Sequence, residues 1–218
     1  MPAMEKARTT AGGVAEELLR AADRAAALGR QFVIAVSPSA VTPEVVSILA
    51  ADARLGASTH VFLADTRFDA CGSCPGSVRE LLETLPVPRS QLHLDVADNV
   101  DPVRAAAAYE QELRAFFGLA VGDLPRFDAV VLHLQPCGEL AGLFAAGRAM
   151  SETSRLAIAD RPVDGGARFV TLTPPVIQRA GRVFVTACAE SVRQRSSQGM
   201  PGRLVGAPNV TLLVQPGN

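Results

Sequence analysis

The chain has 218 residues, 48% of them apolar, with 21 basic against 22 acidic side chains. That is enough apolar material for one sizeable core and too much for a disordered chain. A formal charge of −1, with the signs mixed along the chain, predicts no nucleic-acid and no membrane partner.

Met1 to Gly13 is polar and small, without the apolar stretch of a signal peptide. No run approaches the roughly 20 apolar residues of a membrane span. The sequence therefore predicts a cytoplasmic protein, in which the four cysteines serve as thiols, ligands or redox groups rather than structural disulfides. One domain over residues 1–218 is expected, with residues 1–14 flexible. The absence of Trp and the single Tyr109 argue against a stacking platform for carbohydrate. The oligomeric state does not follow from the sequence.

In chain order, Glu16 to Leu28 reads as a helix, with an apolar stripe through Leu18, Leu19, Ala22, Ala25 and Ala26 and a stop at Gly29. Phe32 to Val36 is a short buried strand. It runs through Ser37-Pro38-Ser39-Ala40-Val41 to Thr42, an N-cap with Pro43 at the first helical position, and that helix is expected to reach about Leu55. A strand, a small polar loop and a helix start can hold an anion on unpaired N–H groups, although most such units bind nothing. His60 to Ala64 is a second strand. It ends in Asp65-Thr66-Arg67, followed by a loop carrying Cys71-Gly72-Ser73-Cys74 and a helix near Val78 to Leu85. Leu92 to Leu94 is extended, and Asp101 caps a helix, Pro102 in its first turn, that runs to Phe117.

The stretch from Phe127 to Phe144 organises the chain. Ala129 to Leu132 is continuously apolar, as in a strand covered on both faces. It breaks at Pro136 and Gly138 and is expected to resume as a helix to about Met150. Its turn carries His133, Gln135, Cys137 and Glu139, where an open α/β sheet keeps its ligand. Beyond it, Leu156 to Ala159, Phe169 to Leu172, Val183 to Thr186 and Val210 to Val214 read as strands, and Pro174 to Ala180 and Glu190 to Arg195 as helices. The alternation predicts an α/β fold with a mostly parallel central sheet and helices on both faces.

Together these segments, from about residue 15 onward, resemble the 6-phosphogluconolactonase family, which belongs with the glucosamine-6-phosphate isomerases. The anchors are Asp65-Thr66-Arg67, where the family writes Asp-Glu-Arg, and the Tyr109-Glu110-Gln111-Glu112-Leu113 helix. To these add Phe127-Asp128, Gly138 with Leu143-Phe144, and the run from Arg168 to Arg179. The resemblance implies a pocket at the strand C-termini for a phosphorylated sugar lactone, a small-molecule substrate.

The chain also departs from the family. Where the family's core loop reads Gly-x-Gly-x-Asp-Gly-His, this chain has His133, Gln135, Cys137, Gly138 and Glu139, so that Glu139 stands where the resemblance implies a general-base His. The Ser-Gly-Gly-Ser-Thr-Pro phosphate loop is Ser37-Pro38-Ser39-Ala40-Val41-Thr42-Pro43, and a later Lys is Glu190. The expectation is a lactonase-like protein with a rebuilt site acting on a lactone or related ester. Its alternatives are a catalytically silent homologue that binds or regulates in carbohydrate metabolism, and a metal-binding protein.

The candidate catalytic residues are accordingly Glu139, Cys137 and His133. Glu139 is a base if burial lifts it above the ordinary carboxylate pKa of ~4.3, and a solvated helix-start acid otherwise. Ser37, Ser39, Thr42, Asp65, Arg67 and Arg168 are the candidate substrate-binding residues, with an internal ion pair as the plainer role of Asp65 and Arg67. If the family fold holds, Cys71, Cys74, Cys137 and Cys188 border one pocket. They would then suit zinc or an iron–sulfur cluster, a redox pair or a nucleophile, or simply small core residues.

Overall fold

The computed structural model of the protein describes residues 11–40, 42–69, 72–73, 76–98, 101–162, 165–188, 191 and 209–215. Its central sheet has six strands, all parallel: β1 (Phe32–Val36), β2 (Thr59–Leu63), β5 (Leu92–His93), β6 (Ala129–Leu134), β9 (Arg182–Cys188) and β10 (Val210–Gln215), in the spatial order β10-β9-β6-β1-β2-β5. The inner strands are buried throughout, β1 as Phe-Val-Ile-Ala-Val and β2 as Thr-His-Val-Phe-Leu. Both faces of such strands need an apolar cover, and helices supply it.

On one face α1 (Ala11–Ala27), α2 (Pro43–Ala50) and α3 (Gly76–Leu82) bring Val14, Leu18, Val45, Leu49 and Leu82 against Ile34, Val36, Val61 and Val131. On the other, α4 (Pro102–Phe117) packs Tyr109, Phe116 and Phe117 around Phe62 and Phe127; the Phe62 and Phe127 rings meet edge-on, 5.6 Å between centroids. Two of these helices start and stop as their sequences dictate. Thr42 Oγ1 accepts from Val45 N and Asp101 from Val103 N, each with Pro at the first turn, and α4 ends on Gly118 at φ 61°. The first helix begins at Ala11, earlier than its stripe predicts, and the second stops at Ala50, short of Leu55.

Two expectations fail. Asp65-Thr66-Arg67 is not the end of the second strand, which stops at Leu63. It begins β3 (Asp65–Asp69), part of a second, antiparallel sheet in the order β4-β3-β8-β7, with β4 (Gly72–Ser73), β7 (Ala157–Asp160) and β8 (Arg168–Leu172). This sheet lies against the far side of α4. The strands read near Leu156 and Phe169 thus belong to it and not to the parallel sheet. A short helix, α5 (Pro174–Arg179), then leads back to β9.

The helix predicted after β6 does not form either. Gly138 (φ 86°), Ala141 (φ 50°) and Gly142 (φ 74°) adopt left-handed backbone that a helix cannot contain. Instead Leu140 bridges to Leu134 and to Leu143, and a single 3-10 turn at Arg148–Ser151 follows. The expected helix from Glu190 to Arg195 lies outside the described residues apart from Ser191. Among the described residues no helix is long and apolar enough to cross a membrane.

Candidate active site

The chain after β6 folds back on itself twice. Gln135 N donates to Glu139 O (2.8 Å) and Gly138 N to Gln135 O (3.0 Å), closing the first turn around Pro136 and Cys137. Leu140 and Leu143 exchange both backbone hydrogen bonds (3.0 and 2.9 Å) around Ala141-Gly142. Positive φ at both central residues marks the mirror-image turn of a tight hairpin.

The small sheet holds this hairpin in place. Thr171 Oγ1 donates to Ala141 O (2.9 Å), and Gly142 lies so close to Phe169 that a Cβ there would sit 3.0 Å from the Phe169 Cβ. Thr171 and Phe169 pair with Asp65 and Arg67 across β3–β8. The four side chains therefore share one face, and that face receives Glu139.

Glu139 accepts from Gly142 N at 3.1 Å. Its carboxyl is pushed above the ordinary value by burial, against the opposing pull of that hydrogen bond and of the Arg67 charge. Asp65 is perturbed further. Buried at 6% exposure, it is pushed up to about 7, first by loss of solvent and then by the negative charge of Glu139, with Ser37 pulling the other way. The Ser37 hydroxyl lies near enough to favour the carboxylate, yet Ser37 Oγ and Asp65 Oδ1 each lack a well-aligned hydrogen-bond partner. Buried polar atoms without partners are rare in folded chains, and they cluster where a ligand or a reacting group completes them.

His133 lies at the end of β6, the strand next to β1, paired in register with Thr186 of β9. Its Nδ1 is 2.9 Å from Thr186 Oγ1, whose hydroxyl donates to Leu132 O (3.2 Å). Burial lowers the His133 pKa, so the ring is neutral at pH 7.

The chain belongs to the glucosamine-6-phosphate isomerase/6-phosphogluconolactonase family. The family model with that description matches residues 5–204. A 6-phosphogluconolactonase of Synechocystis sp. (strain ATCC 27184 / PCC 6803 / Kazusa) is 31% identical over 164 residues, 73% of this chain and 68% of the relative. One of Nostoc sp. (strain PCC 7120 / SAG 25.82 / UTEX 2576) is 28% identical over 172 residues, 77% and 71% of the two chains. The solved 6-phosphogluconolactonase from Trypanosoma brucei shares the fold, with a TM-score of 0.79 over 98% of this chain and 96% of that one at 22% identity.

Within the family fold the predicted residues divide. Ser37, Asp65, Arg67 and Glu139 come together, with His133 on the neighbouring strand end. Arg168 does not join them: it pairs with Phe68, one step out of phase with Asp65 and Arg67, so the register sets it on the opposite face of the small sheet, exposed. Ser39 is exposed in the loop after β1, and Thr42 is occupied as the cap of α2.

Cys137 is an exposed thiol, and Cys188 lies 3.0 Å from Ser191 Oγ. Cys71, Cys74 and Glu190 lie outside the described residues. Among the described residues no group of three His, Cys, Asp or Glu side chains is placed to hold a metal ion, so Cys137 and Cys188 build no zinc or iron–sulfur centre with described neighbours.

Two residues of this site were missed in the sequence, Thr186 and Thr171. Each is a hydroxyl inside an otherwise apolar strand, fully buried or nearly so. A buried hydroxyl must bond to something, and that was the available signal.

Proposed function

We propose that this chain hydrolyses the lactone of a sugar acid, the reaction class named by its 6-phosphogluconolactonase relatives. In this reading the Asp65–Glu139 carboxyl pair moves the proton where the resemblance implies an imidazole. The observation that carries it is Asp65, pushed to about 7 at a strand end beside a second raised carboxyl. A group that titrates near the working pH can both take and return a proton.

Asp65, ionised, accepts a proton from a water as its oxygen attacks the lactone carbonyl. The tetrahedral intermediate then collapses with cleavage of the ring C–O bond. The leaving ring oxygen takes the proton back from Asp65, and the product is the open-chain acid. Glu139 keeps Asp65 basic by its charge, and Arg67, on the same face and close enough to act on Glu139, supplies positive charge for the developing oxyanion.

The test is the pH dependence of turnover on sugar lactones. Asp65→Asn is expected to lower kcat at least about 100-fold. Glu139→Gln removes the like charge, so the pH at which the rate rises should move downward from about 7. Unchanged turnover in Asp65→Asn, or a rise that moves upward in Glu139→Gln, would sink the reading.

A further inference from the structure

Asp65 and Glu139 stand on separate parts of the chain, so something must fix the space between them. Asp65 opens β3, and Glu139 belongs to the hairpin after β6. Across β3–β8 the residue directly opposite Asp65 is Thr171. Opposite residues project from the same face of a sheet, their Cβ atoms about 5 Å apart. Thr171 is buried, and its Oγ1 lies 2.9 Å from Ala141 O of the hairpin and 3.1 Å from Leu172 O of its own strand. The hydroxyl has one proton to give. The shorter contact, to Ala141 O, is the one that crosses from the small sheet to the hairpin.

Glu139 is fixed to the same turn, since its Oε1 accepts from Gly142 N at 3.1 Å. A single peptide group, Ala141–Gly142, therefore accepts from Thr171 through its oxygen and donates to Glu139 through its nitrogen. That group is planar and trans, so its C=O and N–H cannot turn independently of each other. It is flanked by Ala141 at φ 50° and Gly142 at φ 74°. Left-handed backbone at an alanine persists only where its surroundings hold it there.

We propose that Thr171 is the positioning residue of the carboxyl pair: its hydroxyl holds the Ala141–Gly142 peptide, and through that planar group the Glu139 carboxylate, at the place from which it acts on Asp65. What the pair does rests on the lactonase reading; how it is held does not. Three other groups act on or face Asp65: Arg67 along the same face of β3, the Ser37 hydroxyl from the loop after β1, and Tyr109 of α4, whose hydroxyl donates to Leu63 O (2.6 Å). None of the three sits on the hairpin. Loss of the Thr171 hydroxyl leaves Ala141 O without that donor and frees the peptide to turn, which releases Glu139. Asp65 then loses the like charge that raises it.

The experiment follows the Asp65 carboxyl carbon by NMR against pH in the full chain, so the outcome does not depend on catalysis. Thr171→Val keeps the side-chain shape and removes the hydroxyl. It should move the Asp65 midpoint down from about 7 by at least about half a pH unit. Thr171→Ser, which keeps the donor, should leave the midpoint in place. Glu139→Gln should also lower it, and in that background Thr171→Val should add nothing. Should Thr171→Val fail to fold, the unmodified chain still decides: the Gly142 amide resonance should titrate with the Asp65 midpoint. A midpoint unmoved by Thr171→Val or by Glu139→Gln, shifts of the two that add, an equal shift in Thr171→Ser, or a Gly142 amide blind to Asp65 overturns the proposal. The expected pattern without lactone turnover would leave it standing and sink only the hydrolase reading.

Discussion

At the scale of single residues, Asp65 sets stability against the proposed chemistry. Its carboxyl titrates at about 7 in the folded chain and at 3.8 by its ordinary value. Between those limits the folded state holds a proton that the unfolded chain has released, so stability from Asp65 is complete below about 3.8 and is lost as pH rises through about 7. At ~1.4 kcal/mol per pH unit, ionising Asp65 in place costs on the order of 4 kcal/mol. Asp65→Asn should therefore raise the denaturation midpoint, and by more at about pH 9 than at about pH 5. A gain that is the same at both, or a loss at high pH, would show that the carboxyl is not held ionised against burial. The candidate site is legible in the sequence by its places at strand ends: Asp65, Glu139 and His133 all stand where the chain leaves a buried strand. Arg168 falls on the opposite face because its side is set by the β3–β8 register, and a slip of one residue reverses every side chain. Nothing local to Arg168 records that register.

At the scale of elements, helices with their own punctuation were readable and backbone held by distant partners was not. Asp101-Pro102 and Gly118 mark α4 from within its own sequence. By contrast Asp65 to Asp69, Asp-Thr-Arg-Phe-Asp, carries a single apolar side chain and becomes a strand because β8, far along the chain, pairs with it. The segment after β6 has helix-compatible residues, and the left-handed backbone at Gly138 and Gly142 makes it a hairpin instead. Gly142 is the sharper case. Its φ of 74° strains any L residue, and a Cβ would also press on Phe169 at 3.0 Å. Gly118, at φ 61°, has nothing within 4 Å of such a Cβ. Gly118→Ala should then cost about 1 kcal/mol from backbone alone, and Gly142→Ala about 2–4 kcal/mol from backbone and overpacking together. Urea denaturation of the two variants separates the contributions. Equal losses would mean that the contact with Phe169 relaxes freely and that the hairpin is not clamped on the small sheet.

At the scale of the molecule, the far edge of the central sheet is tied to α4 by a chain of titratable groups that the proposed chemistry does not use. Glu112 Oε1 of α4 lies 2.7 Å from His93 Nδ1 of β5, and His93 Nε2 lies 3.1 Å from His60 Nδ1 of β2. The carboxylate takes the Nδ1 proton of His93, so His93 Nε2 accepts from His60 Nδ1–H, and His60 Nε2 is left buried without a partner. An added proton on His60 would sit in that closed space beside Phe116, whose ring centroid is 4.7 Å from that of His60. Burial, and then the proximity of His93, lower the His60 pKa from its ordinary 6.5. A histidine lowered on folding gives stability that is present above 6.5 and is lost as pH falls from there toward its folded value, because the unfolded chain binds the proton first. His133, lowered by burial, adds a loss of the same sign. The thermal midpoint should thus decline as pH falls below about 6.5. His60→Gln should flatten part of that decline and leave the part belonging to His133. A midpoint that holds steady through this window in the wild-type chain, or a decline untouched by His60→Gln, would mean that the buried Nε2 finds a proton acceptor and that this edge of the sheet does not respond to acid.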